Sequence, residues 1–478
     1  MTKQYVETKT FKNPKVFIIH RKAYTMKKKS HFKFSTTQTV MLSFFLAILA
    51  GSLLLSLPIS SANFEAVPYI DALFTATTSV CVTGLVTLPT VSTWSTFGQI
   101  IILLLIQIGG LGIITIMIGL LIGLHKKIGL GDRMLIQDAF NLNTLSGLVK
   151  FVKKVFIGTF VVEGIGALLY MTVFVPEYGA RGVWISVFNS ISAFCNAGID
   201  ILSEDSLCAY VSNPIINLTT CSLIILSGLG YVVWWDLLQV LKKMKYQKWK
   251  CFNSLTLHSK IALSATGILI LSGTFLFFIF EYNNPLTIAG YSFFDKLQAS
   301  FFQSVTTRTA GFATIPQQNL TNASAFVSLL LMFIGGSPVG TAGGVKTVTI
   351  AVLLTSALAT IRNKDDVVLF HRAISKQAIS KAVAVTSVSF MVMFTSTVLL
   401  SAVTDANALD IVYETMSATA TVGLTRNLTP SLNLWGKIII IITMYLGRVG
   451  PISLLLAFNT KRENKNIIKN PTEEISIG

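Results

Sequence analysis

The sequence predicts an all-α polytopic membrane protein, with four repeats of outer helix, re-entrant loop and inner helix around a pseudo-fourfold axis. Three observations predict it. The 478 residues are 52% hydrophobic and only 12% charged, with mean hydropathy +0.67, whereas a soluble domain carries about 25% charged residues. Four short segments run from an aromatic residue to a glycine ten positions later: Phe74–Gly84, Phe188–Gly198, Phe301–Gly311 and Tyr413–Gly423. The steps between those glycines are 114, 113 and 112 residues, so one unit recurs four times. Finally, 31 of the 38 Lys and Arg fall in residues 1–38, 125–154, 241–260, 361–381 and 459–478, while the intervening loops hold most of the acids. That alternation follows the positive-inside rule, which places both tails in the cytoplasm and the four glycine loops outside. It also accounts for the net charge of +17 without nucleic acid.

Residues 1–38 are a basic cytoplasmic tail with ten Lys or Arg and no signal-cleavage pattern. Repeat one follows at 39–124, and repeat two with its preceding cytoplasmic loop at 125–241. Repeat three occupies 242–357, repeat four 358–458, and a cytoplasmic tail 459–478. Each repeat opens with an apolar run long enough to span, at about 39–57, 152–175, 258–280 and 378–403. A segment of some 10–12 residues then ends at the repeated glycine. It is too short to cross, so a re-entrant half-helix is expected. Second spans return at about 97–124, 214–241, 323–357 and 434–458, giving eight full spans and four re-entrant loops.

The second spans share a small-residue tetrad: Gly109-Gly110-Leu111-Gly112, Ser227-Gly228-Leu229-Gly230, Gly335-Gly336-Ser337-Pro338 and Gly447-Arg448-Val449-Gly450. Small residues let membrane helices pack closely, which accounts for the first two copies. The third is followed by Gly340, Thr341, Gly343, Gly344 and Lys346. Five glycines and Pro338 in twelve positions break a helix, since each Gly costs about 1 and Pro about 3 kcal/mol. An irregular loop at membrane depth is therefore expected in repeat three alone. Arg448 stands where the other tetrads have Gly110, Gly228 and Gly336. An intramembrane arginine is costly and by default functional; the structural alternative is a packing salt bridge, with Glu163 the one acid deep in an outer span. Glu163 itself is either a coupling site or a structural hydrogen-bonding group.

The residues ahead of the four glycines are Cys81-Val82-Thr83, Cys195-Asn196-Ala197, Arg308-Thr309-Ala310 and Ala420-Thr421-Val422. They contain no carboxylate, so backbone and hydroxyl oxygens must do any ion selection, as in carbonyl-lined filters. Glycine admits the positive φ that such a backbone needs, and a half-helix aims its negative end at a cation. This favours a large, weakly hydrated monovalent cation and a central pore. Arg308 is expected to point behind its loop, towards backbone carbonyls or a carboxylate such as Glu414. The five Cys (81, 195, 208, 221 and 251) show no metal-ligand spacing and read as packing residues. The five His (20, 31, 125, 258 and 371) lie in tails, loops or span ends, so an enzyme is not expected.

The segments TTSVCVTGL (77–85), SAFCNAGI (192–199), TTRTAGF (306–312), ATATVGL (418–424) and GGSPVGTAGGVKT (335–347) together resemble the Trk/Ktr/HKT superfamily of potassium transporters. HKKIGLGDRMLIQDAFN (125–141) is most similar to the Ktr-type membrane subunit. The resemblance covers about residues 39–458. It implies potassium uptake, with potassium bound at filter glycines Gly84, Gly198, Gly311 and Gly423 and preferred over sodium. It also implies a gate at Gly335–Lys346 with Arg448. Further implications are a homodimer, a cytosolic ring of RCK-type nucleotide-binding subunits, and no covalent cofactor. Nucleotide would act only through that partner, since the chain has no GxxxxGK[ST] motif. Potassium is the implied transported ion, with sodium as a second candidate. A sodium- or proton-coupled alternating-access symporter is the competing reading, although such carriers commonly use inverted repeats.

Overall fold

The structure is a computed structural model that describes residues 36–123, 147–247 and 252–450. The basic tail up to residue 35, the stretch 124–146 with its HKKIGLGDRMLIQDAFN segment, and residues 248–251 and 451–478 lie outside the described residues.

Repeat one comprises α1 (Thr36–Leu55), α2 (Tyr69–Cys81), α3 (Thr96–Leu111) and α4 (Ile113–Gly123). Repeat two comprises α5 (Leu148–Tyr178), α6 (Ala180–Cys195), α7 (Pro214–Leu229) and α8 (Tyr231–Gln247). Repeat three comprises α9 (Leu257–Glu281), α10 (Phe293–Thr306), α11 (Asn322–Phe333) and α12 (Thr347–Ile361). After a two-stranded antiparallel hairpin, Val368–Leu369 with Arg372–Ala373, repeat four comprises α13 (Lys376–Ser401), α14 (Ala408–Ala420) and α15 (Leu434–Val449).

The four outer helices α1, α5, α9 and α13 are long and apolar enough to cross a membrane. Each turns an apolar face outward: Leu53, Leu168, Leu271 and Met391 are all at least 60% exposed. The polarity is inverted relative to a water-soluble domain, because the re-entrant helices bury their hydroxyls. Thr77, Thr78, Ser79, Ser190, Ser192, Ser304, Thr306 and Ser417 are all buried. Each outer helix packs mainly on the re-entrant helix of its own repeat. Helix starts are set by side-chain caps: Ser95 accepts from Gly98 N, Asn213 from Ile215 and Ile216 N, Thr256 from Ser259 N, and Asn433 from Gly436 N.

The second spans are not straight helices: those of repeats one, two and three break at the tetrad, not only the third, and α15 of repeat four ends at Val449, at the edge of the described residues. In repeats one, two and four the fourth residue ends the helix with positive φ and extended ψ: Gly112 (82°, 134°), Gly230 (86°, 145°) and Gly450 (89°, 129°). Only glycine adopts that conformation readily. After Gly230 the chain turns by 97° into α8. The tetrads do also permit close packing: a Cβ on Gly109 would fall on Val80 O, and one on Gly447 on Thr419 O. The re-entrant helices are also longer than expected, at 13, 16, 14 and 13 residues, and stop short of the glycine.

Polar bonds staple neighbouring repeats around the axis. Trp184 Nε1 donates to Gln99 Oε1 (2.9 Å) and Gln298 Nε2 to the Val211 carbonyl (2.9 Å). Tyr413 OH donates to Gln317 Oε1 (3.1 Å), and Arg426, paired with Asp410 at 2.7 Å, reaches the Gln317 carbonyl. Lys437 Nζ closes the circle on Asp71 Oδ1 at 2.5 Å. Breaking a largely buried pair strands the remaining charge, at about 3 kcal/mol. Lys437→Met is therefore expected to lower the thermal midpoint of the detergent-solubilised protein markedly, and Lys437→Met with Asp71→Asn to lower it less. Additive losses in that double-mutant cycle would mean the pair is not coupled.

Candidate functional site

A left-handed residue stands two positions before each glycine, capping the helix in three of the loops: Val82 (φ 55°), Asn196 (60°), Thr309 (70°) and Thr421 (51°). The glycines follow with φ of 103°, 62°, 86° and 95° for Gly84, Gly198, Gly311 and Gly423. Helix caps of this kind normally use glycine at the left-handed position. Valine and threonine there are strained, by about 1–3 kcal/mol each. Backbone bonds offset that cost: Thr83 N to Thr78 O at 2.9 Å, Ala197 N to Ser192 O at 2.8 Å, and Val422 N to Ser417 O at 2.8 Å.

Hydroxyls then fix the turn itself. Thr78 Oγ1 accepts from Gly84 N (2.9 Å) and Ser417 Oγ from Gly423 N (3.0 Å). Ser192 Oγ accepts from Ile199 N (3.2 Å) and donates to Ile199 O (2.5 Å), while Thr306 Oγ1 donates to Phe312 O (2.6 Å). These four braces fall outside the filter residues expected from the sequence. The signal was present: a hydroxyl stands six residues before the glycine in three loops and five before it in the third.

The four glycines meet in a closed ring. A Cβ on Gly84 would lie 2.5 Å from Ala197 O, one on Gly198 2.6 Å from Ala310 O, and one on Gly311 2.6 Å from Val422 O. A Cβ on Gly423 would strike Thr83 O. Each glycine thus faces the carbonyl before the next loop's glycine, in cyclic order. The helix C-termini at Cys81, Cys195, Thr306 and Ala420 lead into this ring, and their dipoles present negative potential to it.

Above the ring is a cavity of about 390 Å³, lined by the four glycines and by Asp200, Glu204 and Asp205. All three acids come from repeat two. Burial pushes the Asp200 carboxyl up to about 6, against the pull of hydrogen bonds from Ser206 and the Leu202 and Ser203 backbone. No Lys, Arg or His lines this cavity among the described residues.

Below the ring the chain from Ile334 to Lys346 leaves the helix, as expected for repeat three, but it is pinned at many points. Gly335 N donates to Val345 O (3.0 Å) and Val345 N to Phe333 O (3.1 Å), so its two ends pair like strands. Ser337 N donates to Gly228 O (2.8 Å), and Tyr231 N to Val339 O (3.1 Å), which binds it to the tetrad of repeat two. A Cβ on Gly336 would approach Ala342, one on Gly340 would lie 2.6 Å from Ser227 O, and one on Gly230 would strike Pro338 O. Gly344 takes φ 63°, and Ser337 Oγ pairs with Thr347 Oγ1 at 2.9 Å. Lys346 Nζ folds back on Ala342 O at 2.6 Å. Thr341 Oγ1 donates to Phe194 O (3.1 Å) and lies 3.2 Å from the Asn196 side-chain amide.

Arg448 bridges this segment to repeat one. Its Nη1 donates to Thr341 O (2.8 Å) and its Nη2 to Gly109 O. Glu163 is not its partner: Gln107 Nε2 donates to both Glu163 oxygens at 3.2 Å. Gln107 Oε1 in turn accepts from Cys195 Sγ (3.4 Å). Arg308 points behind its loop and donates through Nη2 to Thr266 Oγ1 and Gly335 O, both at 3.3 Å. Glu414, the carboxylate expected to pair with it, is instead held by Thr425 Oγ1 (2.6 Å) and Thr429 Oγ1. Cys81, Cys195, Cys208 and Cys221 are free thiols, and no cluster of three or more His, Cys, Asp or Glu able to hold a metal occurs among the described residues.

Residues 2–470 match the family TrkH, described as cation transport protein. The chain is 41% identical over 447 residues to the Ktr system potassium uptake protein B of Bacillus subtilis (strain 168), covering 93% of this chain and 97% of that protein. It is 39% identical over 459 residues to the potassium/sodium uptake protein NtpJ of Enterococcus hirae, covering 95% and 99% respectively. The fold matches the crystal structure of the potassium transporter TrkH from Vibrio parahaemolyticus with TM-score 0.70 at 16% identity, over 90% of this chain and 86% of that one. Family match, full-length relatives and shared fold agree: the chain belongs to the TrkH/Ktr family of cation transporters and is a membrane transport protein rather than an enzyme.

Proposed function

We propose that this chain is the membrane subunit of a potassium uptake system. Potassium crosses at the ring of Gly84, Gly198, Gly311 and Gly423, the segment Gly335–Lys346 gates the passage beneath it, and Arg448 holds that gate closed. The observation that carries the reading is the closed glycine ring, where each glycine faces the next loop's carbonyl. A ring of backbone oxygens replaces the hydration shell of a weakly hydrated cation, as in potassium channels. The names of the two relatives, a potassium and a potassium/sodium uptake protein, agree with it, and sodium is the second candidate ion. The membrane potential supplies about 2.3 kcal/mol per charge per 100 mV, so inward passage needs no nucleotide hydrolysis in this chain.

The four repeats are the functional units, with boundaries at residues 39–124, 125–241, 242–357 and 358–458. Homodimerisation, both termini in the cytoplasm and regulation by a cytosolic nucleotide-binding RCK-type ring belong to the same proposal. The charge alternation supports the placement of the termini, and the relative's name as a component of a Ktr system supports a partner subunit.

The ring is tested by single glycine-to-serine changes at 84, 198, 311 and 423 in an uptake-deficient host. Each is expected to reduce potassium/sodium preference by about tenfold, equivalent to 1.4 kcal/mol. Unchanged uptake and preference in all four would refute the ring as the filter. Arg448→Ala loses two charge-assisted bonds to carbonyls, which together hold about 3 kcal/mol. It is expected to raise potassium flux by about tenfold or more, and unaltered flux would remove Arg448 from the gate.

Asp200 gives a pH dependence. Its carboxyl is ionised above about 6 and neutral below, so the cavity loses negative charge as external pH falls through that value. The half-saturating potassium concentration is expected to rise over that range. In Asp200→Asn it is expected to be high and flat, and a pH profile like that of the unaltered protein would exclude this role.

A further inference from the structure

The third glycine loop is built unlike the other three. Three positions before the glycine, the others carry the small residues Cys81, Cys195 and Ala420, while the third carries Arg308. Its helix stops at Thr306, five residues before Gly311, whereas the others stop three residues before theirs. The extra non-helical backbone places two consecutive side chains on the segment below. Arg308 Nη2 donates to the carbonyl of Gly335, where the segment leaves α11. Thr309 Oγ1 accepts from Gly343 N (3.1 Å), where the segment turns back towards α12. One loop therefore grips both ends of the irregular stretch.

Two further observations give these contacts a function beyond filling space. Arg308 is buried, its Nε has no hydrogen-bond partner, and no carboxylate pairs with it among the described residues. Its guanidinium is held by one carbonyl and one hydroxyl, that of Thr266 on α9. A buried unpaired charge is poor stabilisation, so its retention calls for another role. Thr309 also sits at φ 70°, a position that glycine would occupy without strain. Glycine would, however, remove the hydroxyl that reaches Gly343.

We propose that Arg308 and Thr309 form a latch tying both ends of the Gly335–Lys346 segment to the third glycine loop, so that releasing the latch both frees the segment below and relaxes the ring's discrimination between cations. This rests on the filter and gate reading of the proposed function and makes the two a single mechanical unit. The positioning residues act through Gly335 and Gly343. Arg448, on α15 of repeat four, bonds the same segment at Thr341, between the two latched ends, and ties it to Gly109 of repeat one.

The test uses the full chain in proteoliposomes, with rubidium and sodium tracer influx measured separately. Thr309→Val keeps the shape and loses the acceptor. It is expected to raise rubidium influx about fivefold and to lower the rubidium/sodium ratio by a similar factor. Thr309→Ser, which keeps the hydroxyl, is expected to match the unaltered protein in both readings. Arg448→Ala is expected to raise influx with the ratio unchanged. If Thr309→Val does not accumulate, Thr266→Val, which frees Arg308 from the outer helix, is expected to shift influx and ratio in the same directions. The latch is overturned if the variants raise influx at an unchanged ratio, or change neither while Arg448→Ala still raises influx. If Arg448→Ala and the glycine-to-serine changes are also silent, the filter and gate reading fails, and the latch with it.

Discussion

The rest of the structure depends on one close approach. Four glycines, each without room for a Cβ, stand against the carbonyl before the next glycine in the circle. That approach requires four backbones to hold positive φ simultaneously. Three of the four preceding turns do so with a β-branched residue in a left-handed conformation, and such strain persists only where the surroundings over-determine it. The surroundings are on hand: four hydroxyl braces, the helix caps, and the staples at every seam between repeats. The apolar outer helices form the frame, and the buried hydroxyls inside it hold the ring.

The left-handed residues also have a use that glycine lacks. Asn196 reaches Thr341, Thr309 reaches Gly343, and Thr421 Oγ1 lies where a Cβ on Gly343 would fall. Side chains at the strained positions thus connect the ring to the irregular segment beneath it. The strain at these positions and the contact between the two layers are therefore one feature. The three acids of the cavity above the ring all come from repeat two, although residues of every repeat line it. The glycine ring draws on all four loops, whereas the acids and the irregular segment each come from a single repeat.

The repeat was legible because it rests on strong periodic signals. Twenty-residue apolar runs have few alternatives in a membrane, and four glycines at nearly equal steps set the register. The broken helix of repeat three was legible for the same reason, since five glycines and a proline exceed any packing need. The breaks after Gly112 and Gly230 were not. A single glycine in an apolar helix is compatible with close packing or with a break, and only the 82° and 86° φ values decide between them. Side-chain partners were the least legible. Glu414 and Glu163 were attractive partners for the two arginines by charge alone. In the fold the arginines bond to carbonyls, and the acids to Thr425, Thr429 and Gln107. Backbone carbonyls carry no sequence signature, so arginines that serve them cannot be matched by composition.

The most direct measurement of the central claim is an anomalous difference map from crystals grown in rubidium. The account predicts density on the axis of the ring, in contact with the carbonyls of Thr83, Ala197, Ala310 and Val422. Absence of density there, with rubidium bound instead between the outer helices or at Glu163, would contradict it.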